Sequence, residues 1–180
     1  MATALTKSLP INGCAVYLMK DGKQVGLGPV LDSVTISLPS IEFETTTIPM
    51  MGSYDVPDPS RIPNLQVTIT IPCDNLAART LAQPGVCEWK ITWVSQEYSA
   101  ATGMNVPTGW VVLCRGHVVN IPNAEVSVGG ENTSDITMNV IAISKRSNTS
   151  PSVESYALDR SAGSLRVNGV EYAKGINSLF

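Results

Sequence analysis

The sequence predicts a mainly β fold, an antiparallel sandwich or barrel with one short helix. Three observations carry that prediction. Apolar residues recur at alternate positions through most of the chain, and the alternating runs are rich in Val, Ile and Thr. Gly, Pro, Asn and Asp punctuate the runs at strand-and-turn intervals, with no long helical patterns between them as β–α units would need. The 180 residues are one domain's worth, and 43% hydrophobic content supplies a sizeable core. Charged residues make up only 15% of the chain, against roughly 25% in ordinary globular proteins. A folded chain so poor in charge is expected to hide surface in an assembly.

Taken in order, Ile11 to Met19 alternates as a first strand and ends at Asp21-Gly22, a turn signal. In Val30 to Leu38, Val34, Ile36 and Leu38 face one side and Ser33, Thr35 and Ser37 the other. After Pro39 the alternation resumes from Ile41 to Ile48, with Glu42, Glu44 and Thr46 on the polar side. The two runs predict a long, kinked, hairpin-like pair with one apolar face and one face of hydroxyls and carboxylates. From Pro49 to Pro63, four prolines and Gly52 exclude a helix or inner strand. Met50, Met51 and Tyr54 nevertheless give this protruding loop apolar content, which suits a contact surface better than a bare connector.

Leu65 to Ile71 is a clean half-buried strand, and Asp74 is placed to cap a short helix over Asn75 to Ala82, stopped by Pro84-Gly85. Cys87 to Val94 carries Trp89, Ile91 and Trp93 on its apolar side. Ser95 to Thr108 has loop composition. Trp110 to Val119 and Asp135 to Ser144 are strong strands, with a weaker one at Ala124 to Val128. A Ser/Thr/Asn linker from position 147 leads to strands at Tyr156 to Asp159 and Leu165 to Val170. The expected organisation is one domain: a core over 1–146 with the loop 49–63 protruding, then 147–180 as linker and C-terminal arm. Trp89, Trp93 and Trp110 are expected to fill the core.

Several function classes fall on composition. Twelve Lys and Arg against fifteen Asp and Glu give a net charge of −3, which excludes tight nucleic-acid binding through a basic surface. No segment approaches the roughly 18 apolar residues of a membrane-spanning helix, and the first residues lack a charged-then-apolar leader, so no membrane insertion is expected. Cys14, Cys73, Cys87 and Cys114 are far apart and are expected to be reduced, mostly buried small hydrophobes. No metal or cofactor site is expected: His117 is the one histidine, and Gly26-Leu27-Gly28 is not continued as a nucleotide-binding loop. With no Gly-x-Ser-x-Gly elbow for His117 to serve, it reads as a surface or interface residue. Glu42 and Glu44 have no neighbour that would split their pKa values, so they read as a solvated face. The chain is not expected to be an enzyme.

Three segments in order carry a family resemblance. The first runs from Ile11-Asn12-Gly13-Cys14-Ala15-Val16-Tyr17-Leu18 through Gly28 to Val34-Thr35-Ile36-Ser37-Leu38-Pro39. It continues through Glu42, Glu44 and Thr45-Thr46-Thr47 to Met50-Met51-Gly52. The second is Leu113-Cys114-Arg115-Gly116-His117-Val118. The third comprises Tyr156-Ala157-Leu158-Asp159-Arg160, Leu165-Arg166-Val167-Asn168-Gly169-Val170-Glu171-Tyr172 and Asn177-Ser178-Leu179-Phe180. In this order they resemble the major tail tube proteins of contractile-tailed bacteriophages, with Glu171 where that family has Asp.

The resemblance implies a β-sandwich protomer whose hairpins contribute to an inter-subunit β-barrel in a hexameric ring. The rings stack into the inner tube of a phage tail in the virion, assembled in the host bacterial cytoplasm. Implied partners are further copies of the chain, the tail sheath protein outside, and tape measure protein and double-stranded DNA passing inside without tight binding. Baseplate and tail terminator proteins would meet the tube at its ends. On this reading Ser33, Thr35, Ser37, Glu42, Glu44 and Thr46 face the lumen. Met50, Met51 and Tyr54 make inter-ring contacts, and Val167, Val170, Tyr172 and Phe180 make contacts of a C-terminal arm. The competing expectations are a similar tube in a bacteriocin or secretion device, and a monomeric β-sandwich binding module.

Overall fold

The computed structural model describes residues 8–20, 23–25, 34–49, 52–58, 61–72, 79, 81–99, 103–121, 133–148 and 152–173. Among them lie β1 (Ser8–Lys20), β2 (Lys23–Val25), β3 (Thr35–Ser37), β4 (Glu44–Ile48), β5 (Tyr54–Asp58) and β6 (Gln66–Pro72). They are followed by β7 (Val86–Ser99), β8 (Met104–Val118), β9 (Thr133–Ser147), β10 (Glu154–Asp159), β11 (Ser164–Val167) and β12 (Val170–Glu171). The main sheet runs β12-β11-β10-β9-β8-β7-β1-β2, with β6 added to β9 and β3 to β6; β4 and β5 form a separate two-stranded sheet. Every ladder is antiparallel. The fold is mainly β, as the alternation predicts.

The main sheet branches at β9. Its first half, Thr133 to Asn139, pairs with β6, while Ala142 to Arg146 pairs with β10 and the opposite edge takes β8. The register shifts between Arg115↔Ala142 and Gly116↔Val140, leaving Ile141 as an extra residue. Such a bulge bends the strand. Gly116 permits the close approach there, because a Cβ on it would sit 2.0 Å from the Asn139 carbonyl oxygen.

The core follows from cross-strand register. Leu18, Trp89, Cys114, Ile143, Leu158 and Leu165 form one buried row across six strands. Val67, Ile69 and Ile71 of β6 join Ile136 and Met138 of β9 in the same cluster. Trp89 is 0% exposed, and its indole N–H donates to the Leu81 carbonyl at 3.3 Å. Burying side chains of this size stabilises by about 1.5–3 kcal/mol each. Trp93 and Trp110 stand half-buried at the end of the core, with the Lys145 ammonium 5.5 and 4.7 Å from their ring centres.

The strand β3 does not pair with β4. It takes β6 instead, Thr35↔Thr70 to Ser37↔Thr68, while β4 takes β5, Glu44↔Asp58 to Ile48↔Tyr54. Pro39 and the residues up to Phe43 form no ladder, which separates the two runs. The loop 49–63 therefore contains a strand; Pro57 is accommodated because a two-stranded ribbon has open outer edges. The expected loop 95–108 is likewise mostly strand, the distal half of a hairpin turning through Gly103 at φ 65. The closing run 165–170 is split by Asn168-Gly169, both at positive φ, into the hairpin β11–β12. The strands β10 to β12 continue the main sheet, with Leu158, Leu165 and Ala173 in the core. Leu81 and Arg79 are helical, but most of the expected helix, the Asp21-Gly22 turn and the strand 124–128 lie outside the described residues.

Candidate assembly surface

Two surfaces collect the residues picked out by the sequence. The first is the polar face of β3, β6 and β9. Thr35 lies beside Thr70 and Asp135, Ser37 beside Thr68 and Thr137, and Gln66 beside Asn139. The hydroxyls of Thr68 and Thr137 are 3.4 Å apart, and the Gln66 amide donates to Asn139 Oδ1 at 3.0 Å. Asn120 locks the edge: its Nδ2 donates to the Asp135 carbonyl at 2.6 Å, and its Oδ1 accepts from the Thr137 amide at 2.7 Å. This wall presents hydroxyls, amides and one carboxylate, with no Lys or Arg on these three strands over the paired segment from Thr133 to Asn139.

The predicted lumen set is split by the topology. Thr35 and Ser37 are exposed on this wall, whereas Glu44 and Thr46 are exposed on β4 in the other sheet. Glu42 precedes β4 outside any strand, accepting a hydrogen bond from Ser40 Oγ at 2.9 Å. Ser33 lies outside the described residues.

The second surface is a pair of projecting hairpins. In β4–β5, Thr47 Oγ1 donates to Asp55 Oδ1 at 2.6 Å, while the Glu44 amide donates to the Arg61 carbonyl at 3.0 Å. Tyr54 is 51% exposed; Met50 and Met51 lie outside the described residues. In the distal half of β7–β8, positions 104 to 107 are all exposed, so both faces are open. Met104 is 70% and Val106 46% exposed, and Val94 and Tyr98 also stand in solvent.

Of the predicted arm residues, Val167 packs against the core, Val170 and Tyr172 are exposed, and Phe180 lies outside the described residues. Glu171 fastens the last hairpin by accepting from Ser164 Oγ at 2.6 Å, the Leu165 amide at 2.8 Å and the Ala173 amide at 3.3 Å. The Ser164 hydroxyl above all holds its carboxyl below the usual range. Asp159 is held down likewise, first by the Ser161 hydroxyl and then by the Ala162 and Ser161 amides. Burial pushes the Cys114 thiol up to about 12 and raises Cys14 and Cys87, so these cysteines are packing groups and not reactive thiolates. His117 is exposed between Val86 and Asn139. Among the described residues no group of three His, Cys, Asp or Glu could hold a metal ion.

No family model and no curated protein matches the chain. Among solved structures, it is similar to the sheath/tube terminator of an extracellular contractile injection system (PVC, extended state). The identity is 11% and the TM-score 0.49, over 79% of this chain and 99% of that one.

Proposed function

We propose that this chain is the wall subunit of the inner tube of a contractile phage tail, assembling as stacked six-membered rings around a channel. The observation that carries the reading is the pair of hairpins, largely exposed yet bearing Tyr54, Tyr98, Met104 and Val106. Large apolar side chains on a ribbon with no core behind it are satisfied when another chain covers them. The hydroxyl wall of Thr35, Ser37, Thr68, Thr70 and Thr137 supplies the complementary surface, one that faces the channel.

A conduit for DNA must not bind it. Phosphate binding comes from Lys and Arg, and the wall offers none, while Asp135 adds weak repulsion. The separation of β4 from β3 moves Glu44 and Thr46 from the wall to the projecting hairpin, where they serve ring stacking together with Tyr54. The role is mechanical, and His117 carries no reaction in it. Tape measure protein and DNA pass inside, and the sheath protein lies outside. Negative-stain microscopy of the purified chain tests the reading: rings or tubes are expected, and a single 19.1 kDa species at every concentration overturns it.

A further inference from the structure

The face of β8 to β11 turned away from the core carries an open trough of about 280 Å³. Its floor is made where register brings small side chains together: Ala142 and Ser144 on β9 beside Ala157 on β10, with Leu113 next to Ser144 on β8. Arg115 of β8 and Arg166 of β11 stand at its two sides, three strand spacings or about 14 Å apart. Arg115 Nη2 contacts Ser161 Oγ at 3.2 Å and Asp159 at 3.7 Å, and Arg166 Nη2 contacts Glu154 at 3.1 Å. The Nε and Nη1 of both have no partner among the described residues. The Asp159 contact is a loose one at 3.7 Å, beyond hydrogen-bond distance, and Glu88 of β7 stands opposite Arg115 at the edge of the trough.

We infer that this trough receives the β4–β5 hairpin of a second copy of the chain. The inference rests on the tube reading, since it requires copies to stack. One face of that hairpin carries Ile48 and Tyr54 at the far end, Thr46 and Val56 in the middle, and Glu44 and Asp58 at the base. Asp58 is paired with Arg61 at 3.6 Å, whereas the Glu44 carboxylate has no partner among the described residues. The four steps from Glu44 to Ile48 span about 13 Å, which matches the separation of the two guanidinium-bearing strands. Glu44 pairs with Arg115, whose ion pair is the longer of the two at 3.7 against 3.1 Å, and the Tyr54 ring lies on Arg166 beside Ala157. Val56 covers the small-residue floor. Hairpin and trough are different surfaces, so the contact is head-to-tail and propagates from copy to copy instead of closing as a dimer.

The test mixes two variants that each add one cysteine to the native four, Tyr54→Cys and Ala157→Cys, under mild oxidation, with linked peptides mapped by mass to tell the 54–157 link from links to native cysteines. Assembly is followed on the unaltered chain in parallel. A 54–157 disulfide between chains is expected. Arg115→Glu should raise the concentration needed for assembly at least about tenfold, and so should Glu44→Arg, while the double variant recovers. Assembly of the unaltered chain without the 54–157 link, a trough cysteine linked to some other segment, or Arg115→Glu assembling unimpaired would overturn the inference and leave the tube reading standing. If the unaltered chain never assembles, both fall.

Discussion

The two halves of the β7–β8 hairpin follow one ladder, yet they live in different surroundings. Near Trp89 the inward side chains Cys87, Trp89 and Ile91 are buried in the core cluster; past Trp93 and Trp110 burial fades through Ser95, and by positions 104 to 107 of β8 both faces are open. The boundary is the Lys145 ammonium over the two indoles, a cation on a row that is otherwise Val16, Ile91, Val112 and Tyr156. Inside it, apolar residues stabilise this chain. Outside it, Tyr98, Met104 and Val106 stand largely in solvent, which is why the distal ribbon is read as an interface.

The sharpest break of that contrast is Trp89→Ala. Removing a fully buried indole whose N–H is engaged should cost about 3–5 kcal/mol, seen as a lower urea midpoint at unchanged slope. Next is Gly116→Val: with the Asn139 carbonyl oxygen 2.0 Å from the new Cβ, the bulge must shift. A loss of about 3 kcal/mol is expected, with amide exchange accelerated in β9 as well as β8.

Glu171→Gln probes the far edge of the main sheet. Its carboxylate is depressed chiefly by the Ser164 hydroxyl. The unfolded chain therefore takes up the proton first as pH falls. The contribution is intact above the ordinary carboxylate range and lost as pH drops through the lower folded value. Urea midpoints should differ between Glu171 and the Gln variant at pH 7, and the gap should close progressively as pH falls below the ordinary carboxylate range; a constant gap would refute the assignment.

Legibility in the sequence follows the same boundary. Leu65, Val67, Ile69 and Ile71, or Trp89 and Ile91, alternate because one side is core and the other is not, so those strands could be read directly. At 104–107 no side is core, the alternation has nothing to report, and strand looks like loop. The residues Tyr54 to Asp58 are hidden further by Pro57. Adjacent runs usually pair, so β3 and β4 were expected together; only the long-range partner β6 separates them. Ala142, Ser144 and Ala157 are ordinary small residues until register sets them side by side, and the need for Gly116 depends on a carbonyl more than twenty positions away.

The smallest effect on folding is expected from the distal ribbon, and it decides the comparison. Met104→Ser with Val106→Ser changes two exposed apolar positions on one face of β8. Exposed substitutions away from caps and networks stay within about 0.5 kcal/mol, so the urea midpoint should hardly move. If those side chains exist for another copy, the same change should abolish tubes seen by microscopy. A variant that keeps its stability and loses assembly separates the two kinds of surface in one molecule. A variant that unfolds would instead place the ribbon with the core, and one that still assembles would leave Met104 and Val106 as incidental solvent-facing residues.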